Sequence, residues 1–439
     1  MQIETEHKAR RKNLADKLAG GVAVFHGSGI QTRSFDTTFP HRQDSNFKYL
    51  TGLDEPEAFL IITSDPFQSI LFVRPKNDFE EMWGGLRMGV EKAQQILDFD
   101  EVHPIEDFSK VIIEKLKGSR KVFIDFSNRK FVTKMLDHMD ELARFRKLKV
   151  HKPSGLEDIT PLVGSLRLIK SAPEIESMRR AAEITNIAHR AAMAMSKPGV
   201  NESEIEALLE YIYKKNGARH PAYESIVAGG DNALILHYIE NNRELKSGQM
   251  LLIDAGSEFN TYASDVTRTT PVDDKFDPLH QELYEIVLEA QKSGLSRASV
   301  GHTIGDVHES ATRILIRGLL DHKILTGTVD EIWEKGLHKP YYPHGTSHWL
   351  GLDVHDNSPY LDDELNDLKF VPGMVFTIEP GLYFQYNNEC PERYKGIGIR
   401  IEDDVLITDS DHDNLTSMIP KTVHEIEEMK KCDYRDFLL

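Results

Sequence analysis

Two carboxylates set into apolar, strand-like segments constrain this chain more than any other feature. In LLIDAG, Asp254 follows Leu251, Leu252 and Ile253, which read as a buried strand. A charged carboxylate there is expensive unless something pairs with it. Eleven positions later Asp265 stands in YASDVTRT, where period-two alternation predicts Ala263, Asp265 and Thr267 on one face. Two inward-facing aspartates on consecutive strands repel unless a cation lies between them. The strand MVFTIEPG ends in Glu379. In GIGIRIEDD, Ile397, Ile399 and Ile401 share one face and leave Gly398, Arg400 and Glu402 on the other, where the small glycine is expected to leave space for a site.

Histidine supplies the other ligand type. HGTSHWLGLDVHD contains His344, His348 and His355, and His237 lies in ILHY seventeen residues before Asp254. Four carboxylates with one imidazole form a hard, oxygen-rich set whose four negative charges balance two divalent cations. Bridging carboxylates can hold two metals roughly 3.5–4 Å apart with a hydroxide between them, an arrangement used for hydrolysis. HGTSH has no Glu after its first His and is not an HExxH zinc motif, and GSG at residues 27–29 reads as a loop. Serine and cysteine nucleophiles have no supporting elbow or neighbouring base. Taken singly, an acidic residue among 71 reads as a solvated charge and a lone histidine as structural, so spacing alone leaves the metal site and the structural reading both open.

Composition narrows the classes. With 439 residues, 40% apolar, 28% charged and ordinary Gly (29) and Pro (19) contents, the chain reads as globular rather than low-complexity or disordered. The formal charge of −18 argues against a surface that tracks nucleic acid or an anionic membrane, and no run approaches the roughly 20 apolar residues of a spanning helix. Cys390 and Cys432 are too few for a disulfide framework, and MQIETEHKARRKNLADKLAGG lacks the apolar stretch of a signal peptide, so the expected location is the cytoplasm.

Along the chain, a charged helix near residues 8–19 and the strands VAVF, FLIIT, SILFV and VFIDF predict an α/β domain. Near residues 164–173 the character changes. Ser171 with Glu174 forms a capping box ahead of apolar positions at helical spacing, and the domain boundary is placed just before it, between residues 170 and 171. Beyond, SIVAG, MLLIDAG, YASDVTRT, MVFTIEPG and GIGIRIEDDVLIT read as strands, with helices near 279–297 and 304–322, an α+β domain.

Taken together, LLIDAG…SDVTRT, HGTSHWLGLDVHD, FTIEPGLY and GIGIRIEDD resemble the Xaa-Pro aminopeptidase (aminopeptidase P) branch of the pita-bread metallopeptidases, and FPHRQDSNFKYLTGLDEPEA resembles that family's N-terminal domain. The resemblance implies an α/β creatinase-like domain over residues 1–170 and an α+β pita-bread catalytic domain over 171–439. It implies the metal ligands Asp254, Asp265, His348, Glu379 and Glu402, with Asp265 and Glu402 bridging, Asp254 on one metal, and His348 with Glu379 on the other. The implied cofactors are two divalent ions, manganese being the family's usual one, with zinc or cobalt as alternatives. His237 and His355 match histidines that contact substrate and the tetrahedral intermediate, and Arg400 matches an arginine that orients Glu402 and nearby carboxylates. His344, Tyr383, Arg167 and Trp83 match pocket positions, the tryptophan coming from a neighbouring subunit in some relatives, which fits a homodimer or homotetramer.

The implied reaction is release of the N-terminal residue from peptides with proline second. A hydroxide bridging the two metals attacks, and Glu379 moves the proton. Neither nucleic acid nor membrane is expected as a partner. The nearest rival is a prolidase, restricted to Xaa-Pro dipeptides. Methionine aminopeptidase and creatinase-type hydrolases fit less well, and a metal-free pita-bread binding module would have lost ligands that are all present here. Two departures stand out: the acidic stretch NSPYLDDELNDL after Asp356, where relatives can carry a basic pocket residue, and Thr346, where an apolar residue is common and the change reads as neutral.

Overall fold

In the computed structural model, which describes residues 2–145 and 149–438, the chain divides into two compact units, Met1–Arg167 and Leu168–Leu439. The apolar runs of the N-terminal unit become β1 (Val22–His26), β2 (Phe59–Ser64), β3 (Phe67–Val73), β4 (Glu101–Pro104), β5 (Lys121–Ile124) and β6 (Gly155–Asp158), in one sheet of order β4-β3-β2-β1-β5-β6. The hairpin β2–β3 and the pair β1–β2 are antiparallel, whereas β3–β4, β1–β5 and β5–β6 are parallel. Parallel neighbours need crossovers, and helices supply them. Phe108, Ile112 and Leu116 of α2 (Phe108–Leu116) and Phe131, Met135 and Leu142 of α3 (Arg129–Ala143) bury against Val24, Ile61, Ile70 and Val122; α1 (Gln2–Lys17) precedes β1. This is the expected α/β domain.

The C-terminal unit opens with α4 (Ala172–Met195), its start fixed by the Ser171–Glu174 capping box, in which the Ser171 N–H donates to Glu174 at 2.9 Å. Ile184, Ala188 and Ala192 of α4 and Ile205, Leu209 and Ile212 of α5 (Glu202–Lys215) enclose Leu251 and Ile253. A second layer, α6 (Pro278–Leu295) and α7 (Ile304–Asp321), packs Leu283, Val287, Leu315 and Leu319 with Leu382, Ile399 and Ile401. The antiparallel sheets of this unit include β7 (Ile226–Gly229), β8 (Met250–Asp254) and β9 (Thr267–Pro271); β10 (Val375–Ile378), β13 (Asp403–Ile407) and β14 (His412–Asn414); and β11 (Gly381–Tyr383) with β12 (Gly398–Arg400). Helices over antiparallel sheets make this unit α+β.

Three expectations are corrected here. Asp265 does not lie on a strand: residues 264–266 form the link before β9, and Thr267 rather than Asp265 pairs with Asp254. The link hugs its neighbour so closely that a Cβ at Gly256 would fall 1.7 Å from the Ser264 carbonyl oxygen, an approach only glycine permits. Gly398 leaves no space for a site, because a Cβ there would lie 2.6 Å from the Ala233 carbonyl oxygen; the missing side chain is filled by backbone. GIGIRIEDDVLIT also splits into β12 and β13, which join different sheets, with Ile401 and Glu402 between them.

Candidate metal centre

The carboxylates gather where strand ladders stop. Asp254 is the last residue of β8, Asp265 precedes β9, Glu379 follows β10, and Glu402 occupies the β12–β13 break. Two of these breaks have a local cause. Pro380 has no N–H to continue the ladder beyond Glu379, and at Glu402 the backbone N–H turns to the Thr267 carbonyl at 3.0 Å. The loop carrying the histidines is zipped to β10: Leu350 N–H donates to Val375 O, Thr377 N–H to His348 O, and Glu379 N–H to Thr346 O at 2.8 Å. These pairings bring residues far apart in sequence to one point.

There, Asp265, His348 and Glu402 each offer a ligand atom, all within 4.8 Å of one another. His348 Nε2 lies 3.3 Å from Asp265 Oδ2 and 3.7 Å from Glu379 Oε1. Tyr223 joins Asp254 to the group, its hydroxyl 2.6 Å from Asp254 Oδ1 and 2.5 Å from Asp265 Oδ1. The fifth expected ligand, Glu379, is further placed by His344, whose Nδ1 is 3.7 Å from Oε2. Arg400 donates through Nη2 to Asp254 at 2.5 Å, through Nη1 to the Tyr383 hydroxyl at 2.9 Å and through Nε to Thr267 at 2.9 Å. Thr267 in turn donates to Glu402 Oε2 at 2.7 Å. Arg400 thus orients Glu402 through Thr267 rather than by touching it.

The electrostatics describe a site that wants more positive charge. Burial holds the carboxyls of Glu379 and Glu402 above their ordinary values; Asp265 and Asp254 push both up further, and Arg400, joined at Glu379 by His348, only partly offsets them. Burial opposes charge on His348, but Asp265 and Glu379 outweigh it and raise the imidazole to about 9. Buried carboxylates that repel one another in this way form a donor set that divalent ions stabilise. The oxygen-rich residues therefore fit hard divalent metals.

The surrounding cavity, about 550 Å³, is lined by the five ligand candidates with Tyr223, His237, His344, His355, Arg400 and apolar Ile226, Leu236, Ile239 and Val354. His355 stands edge-on to His348, ring centroids 4.4 Å apart, and burial followed by the proximity of His348 lowers its pKa. His344 Nε2 meets the Tyr383 hydroxyl at 2.8 Å. Two expected pocket residues belong to the N-terminal unit: Arg167 is buried there and donates to Asn46 at 2.8 Å, and Trp83 is exposed on the short helix Asp78–Gly84. Neither is among the residues lining this cavity.

Several residues escaped the sequence reading. Tyr223 was not anticipated at all. Behind the site, Arg268 pairs with Asp403 at 2.6 Å, both fully buried, and also donates to the Glu402 carbonyl. Asp404 accepts the Asp265 N–H through both oxygens, at 3.1 and 3.2 Å. The run EDD was the available signal, since three consecutive acids cannot all face solvent from a buried strand.

Residues 176–409 match the metallopeptidase family M24, and residues 7–123 match the aminopeptidase P N-terminal domain. The chain is 39% identical over 429 residues to the Xaa-Pro aminopeptidase of Escherichia coli K12, covering 97% of each. The chain belongs to the Xaa-Pro aminopeptidase family of M24 metallopeptidases. Among solved structures it superposes on the Pseudomonas aeruginosa aminopeptidase PepP with a TM-score of 0.94 at 37% identity, covering 97% of this chain and 98% of that one. It matches a zinc-substituted Escherichia coli aminopeptidase P in complex with product with a TM-score of 0.93 at 38% identity, covering 97% and 98%. As a member of this family it is a metal-dependent hydrolase built from an aminopeptidase P N-terminal domain and a pita-bread catalytic domain.

Proposed function

We propose that the centre in the C-terminal unit releases the N-terminal residue from peptides with proline second, with residues 171–439 as the catalytic domain and 1–170 as the accessory creatinase/aminopeptidase P-like domain. The observation that carries this reading is the meeting of Asp265, His348 and Glu402 within 4.8 Å, flanked by Asp254 and Glu379, in a cavity of peptide-binding size. Asp254, Asp265, His348, Glu379 and Glu402 would hold two divalent cations, and manganese suits the hard donor set, with zinc or cobalt as substitutes. When bound, such ions make water nucleophilic at neutral pH and polarise the scissile carbonyl.

The protein's own groups then do the rest. Glu379 accepts the proton of the attacking water and passes it to the proline nitrogen, which must be protonated to leave as a secondary amine. His355 and His237 line the cavity where they can donate to the carbonyl oxygen as negative charge develops on it. Arg400 fixes Asp254, and His344 with Tyr383 shapes the wall beside Glu379. The substrate's free α-ammonium is drawn by the carboxylates, which gives exopeptidase character. Proline offers no N–H and has a fixed φ, so a site that grips substrate as an ordinary strand loses both contacts and a shaped pocket must replace them.

We read the enzyme as a cytoplasmic homodimer or homotetramer. The exposed apolar group Phe79, Met82, Trp83 and Leu86, between 68% and 89% accessible, supports association through the N-terminal unit. The deciding assay compares a Xaa-Pro-Xaa tripeptide with a Xaa-Pro dipeptide, metals being supplied one at a time. Cleavage of the tripeptide with manganese present is expected. Turnover confined to the dipeptide would favour a prolidase.

A further inference from the structure

Thr346 stands where the sequence reading expected a neutral substitution, yet its side chain is the centre of a buried polar chain. The hydroxyl lies 2.6 Å from the Tyr342 hydroxyl and 2.8 Å from His308 Nδ1, and Thr346 is 1% exposed. Tyr342 is buried and, among the described residues, its hydroxyl meets Thr346, so Tyr342 can donate to Thr346 while Thr346 donates onward to His308 Nδ1 in the tautomer that leaves that nitrogen unprotonated. Burial, with His338 and Lys339 nearby, lowers the His308 pKa to about 4, so the ring is neutral and one of its two nitrogens can accept. His308 comes from α7, and the chain therefore ties the histidine loop to the helical layer.

Two members of this chain, Thr346 and Tyr342, touch the site. The Thr346 carbonyl accepts the Glu379 N–H at 2.8 Å. The Tyr342 ring meets His344 edge-on at 4.9 Å, and His344 contacts Tyr383 and approaches Glu379. We infer that Thr346 is a positioning residue: its hydroxyl, held between Tyr342 and His308, sets the backbone that places Glu379 and the ring that supports His344. An apolar residue at this position can fill the space but cannot satisfy the buried Tyr342 hydroxyl and the half-buried His308 ring, and an unpaired buried hydroxyl is costly. The polar triad is one unit, and Thr346 is its indispensable middle member.

This inference rests on the reading of Glu379 as proton carrier, and its test includes a readout that does not need turnover. Hydrogen exchange of the full-length, metal-free protein is followed in the peptide spanning residues 375–383, which reports the Glu379 N–H, with residues 403–407 as the internal reference. T346V keeps the volume and loses the hydroxyl; T346S keeps the hydroxyl. T346V is expected to exchange at least tenfold faster at 375–383 with residues 403–407 unchanged, and T346S to stay within threefold of the parent. In the manganese-loaded enzyme T346V is expected to lose at least tenfold in kcat with KM within twofold. The double variant Y342F/T346V, which removes the orphaned tyrosine hydroxyl, is expected to be no worse than T346V and serves in its place if T346V does not fold. Parent-like exchange in both T346V and the double variant, or equal impairment in T346S, overturns the inference. An inactive parent enzyme would instead overturn the proposed function and leave the exchange comparison standing.

Discussion

The Tyr223 hydroxyl sits between two aspartates, 2.6 Å from Asp254 and 2.5 Å from Asp265. Burial and the two negative charges hold the phenol well above its ordinary pKa, so it remains a donor across the working pH range. One proton serves two carboxylates, and it orients both toward the same point.

Removing that donor in Y223F leaves two buried carboxylates without a shared partner. A hydrogen bond to a charged group is worth about 1.5–3 kcal/mol, so kcat/KM is expected to fall by about 10- to 100-fold. Steady-state kinetics on a Xaa-Pro-Xaa peptide checks this. Parent-like kcat/KM would show that the hydroxyl is dispensable.

Chelation should remove activity and added manganese should restore it. Because cations relieve the repulsion that pushes up Glu379 and Glu402, metal binding to the folded chain alone should also raise the melting temperature. Glu379→Ala is expected to abolish turnover while circular dichroism remains that of the folded parent. Indifference to chelator, or an active alanine variant, runs against the ligand assignment.

The Arg268–Asp403 pair gives a prediction about stability. Asp403 also accepts from Gln291 and Asn414 at 2.8 Å each and from Lys421, which together with Arg268 keep it ionised despite full burial. R268M should destabilise, but by less than the about 3–5 kcal/mol that stranding a wholly unpaired buried charge costs, because Lys421 still pairs with Asp403. R268M/D403L should cost less than the sum of the single changes, and denaturant midpoints of the four proteins decide the point.

How much of this was legible in the sequence depended on local contrast. Asp254 and Glu379 announced themselves because each closes an apolar run, and the alternation in GIGIRIEDD correctly sent Ile397, Ile399 and Ile401 to the core and Arg400 and Glu402 to the site. Tyr223 was invisible because its contacts cross 31 and 42 residues and nothing in AYESI marks a donor. The run Glu402, Asp403, Asp404 gave no sign that its members diverge to Thr267, to Arg268 and to the Asp265 N–H, since that divergence depends on the break between β12 and β13. Thr346 looked neutral because Tyr342 reaches it from four residues away and His308 from helix α7.

Acid should weaken the fold partly through His189. It is fully buried, its Nε2 donates to the Ala255 carbonyl at 2.9 Å, and burial lowers its pKa from 6.5 to about 4. The folded state thus prefers the neutral ring, so this contribution is complete above pH 6.5 and is lost as pH falls toward 4, a change of about 3 kcal/mol. Urea midpoints of H189Q should fall less steeply than the parent's over that window. Equal slopes would mean that His189 does not carry the effect.

The most direct test of the metal centre is anomalous diffraction at the manganese edge from crystals grown with that ion. Two peaks are predicted among Asp254, Asp265, His348, Glu379 and Glu402, with Asp265 and Glu402 touching both. Density at neither position, or a single ion bound away from these five side chains, would contradict the account.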